Sequence, residues 1–460
     1  MIGRNQDKGV SAGRVAPASN RLRLAWIAVG LAIAAGVAVA VLMSVGHRED
    51  DRDATRPAAS NLSDAARIEQ GRYLALVGNC MGCHTAVGGT PYAGGRALPT
   101  PFGTFYGPNL TSDAETGLGK WSADDFWRAL HNGKGPDGQL LYPAFPYATY
   151  TQVSRDDADA LFAYLRSLAP VKQANRDHEL AFPYDQRELV AVWRALYFRP
   201  GGDAAKAERG EGAAGTAAGA AAGDAQLVRG RYLVDGIGHC AECHTPRNRL
   251  GALQRNASLS GAVIPGQSWY APPLSGDPVT GLGKWSAEDI AELLQTGISR
   301  RGSAAGPMAE AVHVGLQYVR DDDAKAMAAY LKSLPAQGLD ARAVGTAPSA
   351  TVMETGRGLY EAQCTQCHKS SGEGVYPAWP PLAGNLSVTA PDAVNAIKLV
   401  LRGGFSPFTA GHPQPHGMPP FGQAMKDQDV AAVVSYIRNS WGNSAGGVSL
   451  SDVRRVREAR

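Results

Sequence analysis

The 460-residue sequence predicts a mainly α protein, with one N-terminal transmembrane helix followed by three small helical domains of a common plan. Three observations carry that prediction. Leu24 to Val45 is a run of 22 residues without a charge, about 33 Å as a helix against a bilayer core of about 30 Å. The text Gly71-Arg72-Tyr73-Leu74 returns as Gly230-Arg231-Tyr232-Leu233 and, more loosely, as Gly356-Arg357-Gly358-Leu359-Tyr360. The six cysteines form three C-x-x-C pairs, starting nine, ten and eight residues after those glycines.

Composition sets the outer limits. The length suits two to four domains at roughly 100–200 residues each. Gly and Pro together make 84 of 460 residues, or about 18 % against a usual 12 %, so the chain is rich in loops and joints. A net charge of +3 is too balanced for a nucleic-acid groove. Six cysteines are too few for a disulfide-built scaffold.

Residues 1–23 carry Arg4, Lys8, Arg14, Arg21 and Arg23 against Asp7, a net +4 that keeps this end cytoplasmic. Residues 24–45 are then an anchor. The alternative is a cleaved signal peptide, with Ala38-Val39-Ala40 as a possible processing site, although the run exceeds the usual 7–15-residue signal core. Either way, the chain beyond His47 is exported. Residues 46–62 read as a tether.

The first domain spans 63–171, the second 226–336 and the third 351–442. Ser122 and Ser286 each stand before an Ala-acid pair, the signature of an N-cap with an acidic first turn. They predict helices over Asp124–His131 and Glu288–Thr296, stopped by Gly133 and Gly297. Each domain closes on a related helix: Asp156–Leu168, Asp321–Leu334 and Asp427–Trp441. Leu161, Leu165 and Leu168 give the first of these one buried face. Gly71, Gly230 and Gly356 suit close approach of another backbone. Between the first two domains, 172–225 reads as a linker: a helix over Gln186–Tyr197, then a Gly/Ala-rich stretch. Residues 337–350 are a second linker, and 443–460 an Arg-rich, solvated tail.

The cysteines supply the chemistry. Each pair is followed at once by histidine: Cys80, Cys83 and His84; Cys240, Cys243 and His244; Cys364, Cys367 and His368. This is the attachment signal for c-type haem. Two thiols bond the vinyl groups and the adjacent imidazole reaches the iron. A zinc site would need a second ligand pair nearby, and thiol–disulfide exchange has no use for three histidines. Three covalent haems are therefore expected, with His84, His244 and His368 as proximal ligands. Each ring N–H is expected on a carbonyl, near Pro108, Pro272-Pro273 and Pro381 respectively.

Distal ligands are expected at Met308, after Gly306-Pro307, and at Met418, before Pro419-Pro420. Met425 competes with Met418, and Met327 reads as packing. The first domain has no equivalent methionine. Trp285 to Met308 is 23 residues, and the same count from Trp121 reaches Ala144, beside Phe145. His131 is the substitute expected there, with an open site or His178 as alternatives. Met ligation raises a haem potential, so the first haem is expected to be the lowest.

With these residues in place, the chain resembles the cytochrome c subunits of membrane-associated periplasmic dehydrogenases. Alcohol, gluconate, sorbitol and aldehyde dehydrogenases carry such subunits, as do some molybdenum hydroxylases. The matching text is Gly-Arg-Tyr-Leu before Cys80 and Cys240, the run His239 to Asn248, Tyr376 to Asn385, Gly306 to Glu310 and Tyr436 to Gly442, covering about 63–442. The resemblance implies three class I cytochrome c-like domains. Its implied role is relay of electrons from a dehydrogenase or hydroxylase catalytic subunit to ubiquinone or a terminal oxidase, on the periplasmic face of a bacterial inner membrane. It aligns Met308 and Met418 with the family's distal ligands. Phe145 departs from the alcohol-dehydrogenase branch, which has methionine there. No substrate catalysis by this chain alone is expected. The alternatives are a haem enzyme acting at an open first haem, or a general membrane-tethered shuttle or oxidase subunit.

Overall fold

The computed structural model describes residues 18–48, 62–201, 222–336 and 345–459, with side chains from 23 and from 225 in the two helices that begin at Ala18 and Ala222. Most of the basic start, most of the tether, most of the Gly/Ala stretch and residues 337–344 fall outside them. Helix α1 (Ala18–Gly46) contains the apolar run. The segment 62–201 holds α2 (Asp64–Val77), α3 (Ala123–Asn132), α4 (Arg155–Ser167) and α5 (Leu189–Tyr197). The segment 222–336 holds α6 (Ala222–Tyr232), α7 (Ala287–Thr296), α8 (Gly306–Val314) and α9 (Asp321–Ser333). The segment 345–459 holds α10 (Ala350–Gln363), α11 (Val394–Arg402), α12 (Asp427–Arg438) and α13 (Leu450–Glu458). Strands are short: β1 (Ala97–Thr100), β2 (Gly103–Tyr106) and β3 (Glu179–Leu180) form one antiparallel sheet, and three two-stranded hairpins complete the described set.

One helix crossing recurs in all three segments. A Cβ on Gly71 would overlap the Ala160 carbonyl of α4. On Gly230 it would meet the Ala326 carbonyl of α9, and on Gly356 the Ala432 carbonyl of α12. The expected backbone approach is therefore real, and it fixes the opening helix of each segment against the closing one. The caps also hold. Ser122 and Ser286 each make a capping box, with Asp125 and Asp289 as the reciprocal acids, and Gly133 and Gly297 end the helices in the left-handed conformation.

The unequal glycine-to-cysteine spacings have a local cause. In the second segment the chain widens into a π-helical turn over Leu233–Ile237, which absorbs one extra residue. Asn79 and His239, just before Cys80 and Cys240, adopt positive φ of 47° and 39°. The third segment lacks such a residue, and α10 runs directly into Cys364.

Two expectations change. Residues 172–201 are not a free linker. Asn109 Nδ2 donates to the Val171 carbonyl and Asn175 accepts from the Asn109 amide, while β3 pairs with β2. The tail is not a solvated end either: α13 buries Val453 and Val456 against the third segment, and Arg457 donates to the Gly422 carbonyl. The apolar spacing Val453, Val456 is a single pair, too short to be read as an amphipathic helix beforehand.

The first two segments share one buried core, which runs from Tyr73 and Leu74 through Trp127 and Leu161 to Leu233, Trp285 and Met327. Their contact is reciprocal. Tyr73 donates to Asp323 at 2.5 Å and accepts from the Arg320 amide; Tyr232 donates to Asp157 at 2.6 Å and accepts from the Ser154 amide. Each tyrosine belongs to a Gly-Arg-Tyr-Leu repeat, and each reaches the N-cap and first turn of the other segment's closing helix.

Candidate haem centres

Each C-x-x-C-H forms a short helical turn after the opening helix. His84 Nδ1 donates to the Pro108 carbonyl at 2.8 Å, His244 to Pro272 at 2.7 Å and His368 to Pro380 at 3.0 Å. The third acceptor is Pro380, one residue before the proline expected from sequence. Proline presents a carbonyl with no competing N–H. With Nδ1 committed, Nε2 is the nitrogen left for iron, and its orientation is fixed. Burial lowers the pKa of all three imidazoles, which favours the neutral form that binds metal.

Burial pushes the Cys80 and Cys240 thiols up to about 12. Redox C-x-x-C pairs work by the opposite shift, a thiol lowered towards neutrality. These pairs are therefore poor exchange thiols and fit instead as points of covalent attachment.

The second and third centres open into one continuous cavity of about 450 Å³. His244 and Met308 lie on one part of its wall, His368 and Met418 on another, with Trp269, Leu294 and Val433 among the apolar side chains between. Met308 sits in the first turn of α8, which Pro307 opens. Met418 lies on a two-residue strand paired with Gly404–Phe405. Met327 is fully buried in α9 and Met425 nearly so; both touch the same cavity. An apolar wall that brings a proline-held imidazole and thioether sulfur to each centre suits a porphyrin, and so the residues present fit haem at both places.

The first centre has the same turn and proline carbonyl but a different distal side. Leu141 donates its amide to Gly133 as Ala304 does to Gly297. Four residues beyond each anchor lie Phe145 and Met308. The structural register thus equates Phe145, not Ala144, with the methionine, because the turn after Gly133 is one residue longer. Phe145 packs against Tyr150 and offers iron no donor.

His131 lies on a different row of its helix from the residues that match the lining of the second centre. Counting from the glycine stops, His131 matches Gln295, whose amide donates to the Val319 carbonyl and Asp321 at the start of α9. The residues of α7 that line the cavity are Ile290, Leu293 and Leu294, which match Phe126, Ala129 and Leu130. At 100° per residue His131 points well away from that row. It is buried and stacks on Trp127, ring centroids 4.5 Å apart. Sequence counting could not separate these rows because both are buried. His178 is also accounted for: its Nδ1 accepts from the Tyr106 amide, between the rings of Phe105 and Tyr142.

The attachment turns lie close together. His239, just before Cys240, donates to the Gly78 carbonyl, two residues before Cys80, at 3.0 Å. Its ring meets Tyr150 edge-on. Arg96 pairs with Glu310, two residues after Met308, at 2.9 Å. Between the second and third segments, Asn395 exchanges two hydrogen bonds with the backbone of Tyr270, and Lys398 donates to Gln267. Sequence reasoning missed this polar seam, since no local signal marks Asn395 or Lys398 as reaching another segment.

Comparison with known proteins picks out the same three stretches. The cytochrome c family model matches residues 68–169, 227–335 and 353–441. The chain is 38 % identical to the gluconate 2-dehydrogenase cytochrome c subunit of Pantoea cypripedii, over 87 % of this chain and 91 % of that one. It is 36 % identical to the alcohol dehydrogenase (quinone) cytochrome c subunit of Gluconobacter oxydans, over 93 % and 87 %. It is 35 % identical to the fructose dehydrogenase cytochrome subunit of Gluconobacter japonicus, over 85 % and 82 %.

Proposed function

The chain belongs to the cytochrome c family, and from that premise we propose a triheme electron-transfer subunit of a membrane-associated dehydrogenase, built as three class I cytochrome c-like domains. The single observation that carries this is the threefold repetition of one constellation, a cysteine pair followed by an imidazole held by a proline carbonyl, with an apolar wall beside the second and third. The haem iron supplies one-electron redox chemistry when bound. The protein's part is to bond the ring, orient the imidazole, set the distal donor and exclude water. His84, His244 and His368 hold the three irons proximally, and Met308 and Met418 cap the second and third.

Electrons come from a separate catalytic subunit, a dehydrogenase or hydroxylase, and leave to ubiquinone or a terminal oxidase. The anchor reading of α1 places the body on the periplasmic face of a bacterial inner membrane, and its packing on α5 supports retention over cleavage. The second centre is the middle of the relay. It is joined to the first through His239 and Gly78, and to the third through the shared cavity.

A pyridine haemochrome assay with intact mass tests the reading. Three haems per chain are expected, together with co-purification of a flavin, quinone or molybdenum subunit. A mass equal to the bare chain would refute it.

Phe145 favours a second reading for one centre only. A first haem without a thioether is open to exogenous ligands, so carbon monoxide should bind one reduced haem in three. Turnover of peroxide at that haem would make it an enzymatic site; ligand binding without turnover leaves the chain a pure carrier.

A further inference from the structure

We propose that α5 lies in the bilayer interface, with its outward apolar side chains Leu189, Val192 and Leu196 resting on lipid, so that the first segment is held to the membrane in one orientation. This rests on α1 being a retained anchor.

The nine residues of α5 contain one charge, Arg194, and it is 2 % exposed. Its guanidinium donates to the carbonyls of Gly46, at the end of α1, and of Asn132. The inward face of α5 is therefore Val190, Ala191 and Arg194, packed with Met43, Leu140 and the last turn of α1. Lys134 adds a bond to the His47 carbonyl. At 100° per residue Leu189, Val192 and Leu196 fall on the opposite side. Leu189 is 43 % and Leu196 44 % exposed. A helix turned to water would carry polar residues there.

What covers this face is indicated by where the helix is fixed. The apolar span of α1, Arg23–Gly46, has 24 residues, about 36 Å long, and so exceeds the hydrocarbon core by about 6 Å. Its last turn then falls at headgroup depth, and α5 is packed on that turn. Val39, Val41 and Val45 of α1 are uncovered as well, and Leu196 stands at the edge of the groove that Trp193 and Tyr197 share with the second segment. Phe182, 80 % exposed, and Tyr184 precede α5, and Arg187 and Arg199 flank it together with Asp185 and Glu188. Apolar and aromatic side chains beside basic ones are the composition of an interfacial helix.

The test is photo-crosslinking of the full-length haem-loaded chain in vesicles of phosphatidylethanolamine and phosphatidylglycerol. p-Benzoylphenylalanine is placed singly at Leu189, Leu196, Ile33 in α1, and Val279, an exposed apolar position of the second segment. An unchanged haem spectrum reports folding. Lipid adducts at 189 and 196 are expected within about twofold of those at 33, and absent at 279. Adducts at 33 with only protein cross-links, or none, at 189 and 196 would overturn the proposal. A mature chain lacking α1, or no adduct at 33, would overturn the anchor reading and this inference with it.

Discussion

Single side chains set the character of each centre. Met308→His should lower the potential of the second haem alone, because a second imidazole replaces the thioether that raises it. A spectroelectrochemical titration resolving three potentials checks this. Each 59 mV is a tenfold change in equilibrium. Phe145→Met should do the reverse at the first haem, raising its potential and abolishing carbon monoxide binding. His131→Ala should leave every haem spectrum unchanged while lowering the unfolding midpoint, since it removes a buried ring stacked on Trp127. A changed ligand field in that variant would restore His131 as a ligand. The cysteine–histidine motifs were legible outright, because covalent attachment needs those residues at that spacing. The role of His131 was not, because two buried rows of one helix differ only in what they face.

At the scale of elements, the glycine crossings hold each segment together. Gly230→Ala would drive a Cβ into the Ala326 carbonyl, and overpacking of this kind costs about 1–3 kcal/mol. A lowered melting temperature with one distorted haem signal is expected. The tyrosine clasp between the first two segments should respond to acid. Burial alone would raise the Asp323 carboxyl, but the Arg229 fork and the Tyr73 hydroxyl outweigh it and hold it low. A depressed folded value contributes stability above the unfolded value and loses it as pH falls through the folded one. The clasp should therefore be intact above about pH 5 and weaken below about 4. Asp323→Asn should remove that acid dependence and destabilise at neutral pH, as denaturation midpoints across pH would show. Caps and closing helices were predictable because Ser, acid and Gly act locally; the clasp pairs residues 250 and 75 positions apart, and no local signal reports it.

At the scale of the whole molecule, the proposed relay has the second haem in its middle. Replacing Cys240 and Cys243 by alanine should leave the first and third haems reducible but kinetically separated. Stopped-flow reduction by the catalytic partner would then fill one of them and leave the other oxidised on the turnover timescale. Unchanged transfer would place the first and third centres in direct contact. The fused core of the first two segments and the cavity shared by the second and third both favour the serial path.

The chain text alone determined the three cysteine–histidine motifs, the repeated plan and the apolar N-terminal helix, because each depends on residue type and short spacing. Tertiary packing decided what those segments do to one another. It folded 172–201 back onto the first segment, tied α1 to α5 through buried Arg194, docked α13, and stacked His131 on Trp127. Those outcomes depend on which buried faces meet across long stretches of chain, and burial in a folded core is a property no single segment possesses by itself.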